Sequence, residues 1–253
     1  MKDDLLRATE TVARVMGDVA MRHFKTTLQV DTKSDGSPVT IADRDAERAA
    51  REWIASHFPD DGILGEEFEA VEGTSGRRWL LDPIDGTKSF VRGVPLWGSL
   101  VALEAGEKIL AGAAAFPATQ EVIVAAAGKG CWWNGARAKV SACSTLAGAT
   151  VLVTDERAFR SAAQREGWRT LTGEAAFSRT WGDCYGYLLV ATGRAEVMVD
   201  PVVNAWDVAC FVPIIEEAGG RFTDLSGART AYSGDAIATN AALAAAARDF
   251  FEA

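Results

Sequence analysis

The stretch from Arg78 to Ser99 constrains this chain more than any other. It reads Arg78-Trp79-Leu80-Leu81-Asp82-Pro83-Ile84-Asp85-Gly86-Thr87-Lys88-Ser89-Phe90, then Val91-Arg92-Gly93-Val94-Pro95-Leu96-Trp97-Gly98-Ser99. Trp79-Leu80-Leu81 has the length and apolarity of a buried strand. It runs into two carboxylates, Asp82 and Asp85, and Pro83 between them predicts a sharp turn. Gly86-Thr87 then opens a short helix. Two acids turned toward one locus repel each other unless a cation lies between them. Backbone N–H groups of Gly86 and Thr87 would face the same locus, and a helix N-terminus receives anions. A cation cage beside an anion cradle is what metal-assisted phosphoryl chemistry uses. An isolated Asp-x-x-Asp pair, however, more often only caps a helix, so the rest of the chain has to decide.

The 253 residues allow one large or two small domains, and 48% hydrophobic with 24% charged residues is ample for a core. A formal net charge of −9 argues against nucleic-acid binding, which needs a basic face. It leaves room for an anionic substrate if a metal brings the positive charge. No apolar run reaches the roughly 18 residues of a membrane span, and Met1-Lys2-Asp3-Asp4 does not begin a signal peptide. Cys131, Cys143, Cys184 and Cys210 form no C-x-x-C pair and predict free thiols and a cytoplasmic location. The two histidines, His23 and His57, fall in helical patterns, which speaks against a Ser-His-Asp triad or a phosphohistidine. There is no P-loop, and Asp82 is followed by Pro83-Ile84-Asp85 rather than by the D-x-D spacing of aspartyl-phosphate phosphatases.

Helical periodicity covers residues 3–25, and a polar, turn-rich loop follows from Val30 to Thr40. A second helix runs from about Asp43 to Phe58, burying Ala46, Ala49, Ala50, Trp53 and Ile54. Glu47 and Arg51 form a supportive pair one turn apart, and Asp43 favours the helix dipole. Ile63-Leu64-Gly65-Glu66-Glu67 is a short apolar run ending in two acids, by itself an ordinary solvated strand end. Ser99–Glu104, Ile109–Phe116 and Glu121–Ala127 read as an antiparallel meander, and Asn134-Gly135 as a type I′ hairpin. A boundary at Ser141–Gly148 divides the chain into 1–143, an α+β domain with an antiparallel sheet, and 144–253, an α/β domain with a mixed or parallel sheet. In the second half strands are expected at Thr150–Thr154, Ala195–Asp200, Arg221–Thr223 and Ala236–Thr239. Helices are expected over 156–166, 182–193, Trp206–Ala218 with a kink at Pro213, and Ala241–Phe251.

Asp82-Pro83-Ile84-Asp85-Gly86-Thr87 resembles the signature of the inositol monophosphatase family, Mg-dependent phosphomonoesterases. Lys88 to Gly98 resembles its histidinol-phosphate phosphatase branch. Gly65-Glu66-Glu67 upstream, and Trp206-Asp207 followed by Glu216-Glu217-Ala218-Gly219-Gly220 downstream, stand in the family's order, so the resemblance spans Val30 to Thr239. It implies a layered αβαβα sandwich of the α+β class with the site between two domains. It implies two or three Mg2+ ions held by Glu66, Asp82, Asp85, Asp207 and the Ile84 carbonyl. Glu66 and Thr87 would hold the attacking water, with Asp43 orienting the Thr87 hydroxyl, and the Gly86 and Thr87 N–H groups would hold phosphate. Lys33 would be a charge near the metal loop.

Asp200 stands seven residues before Asp207, where inositol-cleaving members carry a glutamate, and Arg179-Thr180-Trp181-Gly182-Asp183 resembles the histidinol-phosphatase branch. Asp183 and Asp200 would complement the amine of histidinol, Trp181 would flank its ring, and Arg179 is a further substrate-binding candidate. The expected activity is hydrolysis of L-histidinol phosphate, in histidine biosynthesis, by a cytoplasmic homodimer that binds neither membrane nor nucleic acid. The alternatives are an inositol-1-phosphate or broad sugar-phosphate phosphatase, or a phosphatase-fold binding protein.

Overall fold

The first helix, α1 (Lys2–Met21), sets Leu5, Ala8, Val12, Ala13, Met16 and Ala20 on one buried stripe. The structure, a computed structural model, describes residues 2–33 and 36–251. α1 stops at Met21, four residues before the predicted end, and leaves His23 in the turns beyond it. The polar loop contains a small antiparallel hairpin, β1 (Val30–Thr32) and β2 (Pro38–Thr40), while its Ser34 and Asp35 lie outside the described residues. A capping box of Thr40 and Asp43 starts α2 (Ile41–His57). The buried face of α2 is Ala42, Ala46, Ala50 and Ile54 together with Asp43 and Glu47, and Ala49 and Trp53 are only half-buried.

A seven-stranded sheet follows, in the order β3 (Gly62–Gly65), β4 (Arg77–Asp85), β5 (Gly98–Ala105), β6 (Lys108–Phe116), β7 (Glu121–Ala126), β8 (Gly130–Trp133) and β9 (Ala136–Arg137). The meander and the Asn134-Gly135 turn stand as predicted, with φ positive at both turn residues. Pro83 does not turn the chain. Asp82 faces Leu100 and Asp85 faces Gly98, so three steps on β4 oppose two on β5. That is a β-bulge, which re-aims side chains without ending the strand. The short helix α3 (Thr87–Phe90) follows at once, behind Gly86 with φ +83°.

The second sheet has the order β11-β10-β12-β14-β13, made of β10 (Thr150–Val153), β11 (Phe177–Arg179), β12 (Val197–Asp200), β13 (Arg221–Thr223) and β14 (Ala236–Thr239). β10 pairs in parallel with β11 and β12, and β14 antiparallel with β12 and β13. β11, an edge strand of three residues, is absent from the sequence reading. The helix expected over 156–166 begins later, as α4 (Ala162–Glu174), because Ser161 and Gln164 form its capping box. α5 (Cys184–Ala191) ends before Gly193. The Trp206–Ala218 helix is broken into α6 (Ala205–Val208) and α7 (Phe211–Glu217), as befits a proline whose missing N–H lies in the second turn. Gly219 and Gly220 close α7 with bonds to the Glu216 and Ile215 carbonyls. The last helix, α8 (Ala244–Arg248), is half the predicted length.

Three cores stack these elements into five layers. α1 and α2 cover one face of the first sheet through Val12, Met16, Ile54, Trp79 and Leu81. α5 and α7 fill the space between the sheets through Leu80, Leu100, Tyr187, Phe211 and Met198. α4 and α8 cover the far face of the second sheet through Trp168, Leu171, Ala247, Val197 and Ile237. The order α, β, α, β, α is the predicted sandwich. Among the described residues no helix is long and apolar enough to cross a membrane, and all four cysteines are free.

Candidate active site

Separate stretches of the chain, at residues 37–38, 66, 82–88, 183 and 202–207, meet in one cleft of about 260 Å³. β3 delivers Glu66 just past its end, and β4 delivers Asp82 and Asp85 across the bulge. α3 contributes Gly86, Thr87 and Lys88, and α6 brings Asp207. Asp82, Asp85 and Asp207 offer oxygens that all lie within 4.8 Å of one another. Each is aimed by a backbone donor. The Ile84 N–H donates to Asp82 at 3.0 Å, the Cys184 N–H to Asp85, and the Asn204 N–H to Asp207 at 2.7 Å.

Burial, and then mutual repulsion, raises the Asp82 and Asp85 carboxyls far above the usual range. Burial chiefly lifts Asp207 to about 7, and the Glu66 charge adds to it. Such a trio is strained by its own charge, and hard oxygen donors at this spacing fit a divalent cation such as Mg2+. Glu66 lines the same cleft but stands outside the trio. Its Oε1 accepts from Lys33 Nζ at 2.7 Å, and the same ammonium donates to Glu67 at 2.6 Å.

Asp43 and Thr87 meet as expected, though loosely. Thr87 Oγ1 lies 3.5 Å from Asp43 Oδ1 and donates to the Ile84 carbonyl at 2.9 Å. Asp43 Oδ2 is held by the N–H and hydroxyl of Thr40, each at 2.7 Å. Gly86 is required where it stands: a Cβ there would come within 3.0 Å of the Leu96 carbonyl oxygen and 3.2 Å of Asp183 Oδ2.

The substrate residues divide. Asp183 lines the cleft, and also an inner cavity of about 80 Å³ shared with Asp200, Thr154 and Tyr187. Burial lifts Asp183 to about 6 and Asp200 to about 8, against the pull of Lys88 on the first and of the Thr154 hydroxyl on the second. Asp183 has φ +49° and ψ −157°, backbone that side-chain-bearing residues rarely adopt. Trp181 and Arg179 line neither space. Trp181 is exposed, and the Arg179 guanidinium stacks over it and over Phe177. Three features lay beyond the sequence reading: the Lys33 clamp on both glutamates, Lys88 as the one cation lining the cleft among the described residues, and Asn204. Asn204 was signalled by its spacing, because Asn-x-x-Asp with Asp207 forms a capping box.

The inositol monophosphatase family model matches residues 1–252. This chain belongs to that family. It is 42% identical to a histidinol-phosphatase of Chlorobaculum parvum over 94% of this chain and 92% of that one. It is 33% identical to an inositol-1-monophosphatase of Rhizobium meliloti, over 100% and 94% of the two chains. A solved inositol monophosphatase from Zymomonas mobilis superposes with a TM-score of 0.87 at 31% identity, covering 99% of this chain and 98% of that one.

Proposed function

We propose that this family phosphatase hydrolyses L-histidinol phosphate to L-histidinol and phosphate with Mg2+ as cofactor. The observation that carries the reading is a second acidic chamber beside the carboxylate trio. Asp183 and Asp200 in one small cavity suit a cationic alcohol rather than a neutral polyol, because an opposite charge would offset the burial that holds both carboxyls above the usual range. The greater identity to a histidinol-phosphatase than to an inositol-1-monophosphatase points the same way.

Asp82, Asp85 and Asp207, with Glu66 and the Ile84 carbonyl, would hold two or three ions. Bound there, Mg2+ supplies Lewis acidity toward the phosphate and makes water a nucleophile at neutral pH. The chain's own groups do the positioning. Thr87 turns its hydroxyl proton inward, to Ile84 or Asp43, which leaves an oxygen lone pair facing the cleft to accept from the attacking water. Glu66 is the second acceptor for that water, once its carboxylate leaves Lys33. The Gly86 and Thr87 N–H groups would receive phosphate oxygens. Water oxygen adds to phosphorus as the ester oxygen departs, and the water's proton balances the alcohol that leaves. No side chain need become phosphorylated.

The test is phosphate release from L-histidinol phosphate beside D-myo-inositol 1-phosphate, with Mg2+ and with chelator. A Mg2+-dependent preference for histidinol phosphate supports the whole reading. Preference for inositol phosphate keeps the metal chemistry and discards the role of Asp183 and Asp200. Turnover that chelator leaves intact discards the metal.

A further inference from the structure

Glu47, read from the sequence as half of a supportive pair one turn apart on α2, has no exposed side-chain surface. Its carboxylate lies against the turn that carries Glu66. Oε1 accepts from Arg51 Nε at 2.7 Å, and Oε2 accepts from the Glu67 N–H at 2.8 Å. Arg51 extends the link: its Nη2 donates to the Phe68 carbonyl at 3.1 Å, and its guanidinium sits over the Phe68 ring. From the opposite side the Glu66 N–H donates at 3.2 Å to the carbonyl of Leu81, the residue before Asp82. Gly65 makes the approach possible, since a Cβ there would fall 2.0 Å from Glu47 Oε1. The turn over residues 65–68 is thus clamped between β4 and α2.

A buried ion pair adds little net stability, because desolvating both charges offsets their attraction. What it does supply is direction, and here the direction belongs to a cleft acid one residue away. We infer that Glu47, with Arg51, is a positioning residue that aims Glu66 at the Asp82–Asp85–Asp207 trio and so tightens the site's hold on Mg2+. With the backbone of the turn fixed, releasing Lys33 moves only the Glu66 side chain. This inference rests on the metal reading of the trio.

Glu47→Gln keeps the shape and one acceptor oxygen but removes the charge that joins Arg51 to the Glu67 N–H. Mg2+ is titrated by calorimetry into metal-free wild type and variant, and Tm is read with and without Mg2+. The expected result is a Mg2+ Kd raised about 10- to 100-fold in the variant, the range for groups that orient ligands. A smaller Mg2+-induced rise in Tm goes with it, and activity recovers as Mg2+ is raised. A folded variant with the wild-type Kd overturns the inference, whatever its Tm, because a merely structural role would move only the Tm. Wild type that takes up no Mg2+ overturns the metal reading itself, and the inference falls with it. Should Glu47→Gln fail to fold, Arg51→Lys decides, since it keeps the charge but loses the fork between Glu47 and Phe68. A several-fold weaker Kd is then expected, and an unchanged one overturns the inference.

Discussion

The two ends of β4 treat buried carboxylates in opposite ways. At its start, Arg77 and Arg78 each meet a buried acid. Asp61 takes Arg77 at 2.9 Å together with Ser75 and the Trp79 indole N–H, and Glu104 takes Arg78 at 2.6 Å together with the Tyr232 hydroxyl. At its far end Asp82 and Asp85 meet Asp207 and no arginine or lysine within their trio. Both ends belong to one strand and one core, so burial alone does not mark the site. A buried acid given a guanidinium is architecture. Buried acids given each other and backbone N–H groups, but no cationic side chain within the trio, suit a cation the chain does not supply.

That contrast breaks most easily by removing charge at each end. Asp82→Asn should lower kcat/KM at least about a thousandfold, roughly 4 kcal/mol of transition-state stabilisation, while the metal-free protein melts no earlier than wild type. Near-normal Mg2+-dependent turnover in Asp82→Asn would erase the distinction. At the other end, Asp61→Asn weakens the hold on Arg77, Ser75 and Trp79 and should lower stability by about 1–3 kcal/mol in denaturant unfolding, since the Arg77 side chain is partly exposed. Its kcat should match wild type wherever the protein is folded. A catalytic defect at full stability would move Asp61 into the site.

The uneven legibility of this chain has the same origin. Asp82, Asp85, Gly86 and Thr87 could be read because local spacing carries their chemistry, and the Asn134-Gly135 turn because its backbone demands it. The five-layer stack followed from the order of motifs by resemblance rather than from periodicity. The bulge at Pro83 could not be read, since β5 decides it by the partner it offers each residue. Nor could β11, whose three residues are a strand only because β10 lies beside them. The role of Glu47 beyond its pair with Arg51 could not be read, because a helix-spaced Glu and Arg look the same in solvent or under a turn. Trp181 was placed beside the ring by resemblance to the histidinol-phosphatase branch, but it stands exposed, outside both the cleft and the inner cavity.

Asp200 sharpens the comparison within the far end. It is 4% exposed and lines the inner cavity, through which it would meet a substrate. Asp200→Ala should raise KM for histidinol phosphate about 10- to 30-fold, the 1.4–2 kcal/mol scale of a hydrogen bond to a charged group, and leave KM for a neutral sugar phosphate within about twofold. Equal effects on both substrates would make Asp200 a packing residue of the cavity and return it to the architecture of the first end.

The smallest effect is a slope. Asp207 near 7, Asp200 near 8 and Asp183 near 6 all lie above the ordinary carboxylate range, chiefly through burial. Between about pH 4 and pH 8 the folded chain therefore binds protons that the unfolded chain has already released, and its stability falls as pH rises through that window. In chelator, Tm should drop steadily from pH 5 to pH 8. Saturating Mg2+ should flatten the drop, because a cation takes over the work of those protons, and Asp200→Asn should flatten it in part without metal. A metal-free Tm that is level or rises from pH 5 to pH 8 would mean these acids are already compensated, and the two ends of β4 would then differ in sequence but not in electrostatics.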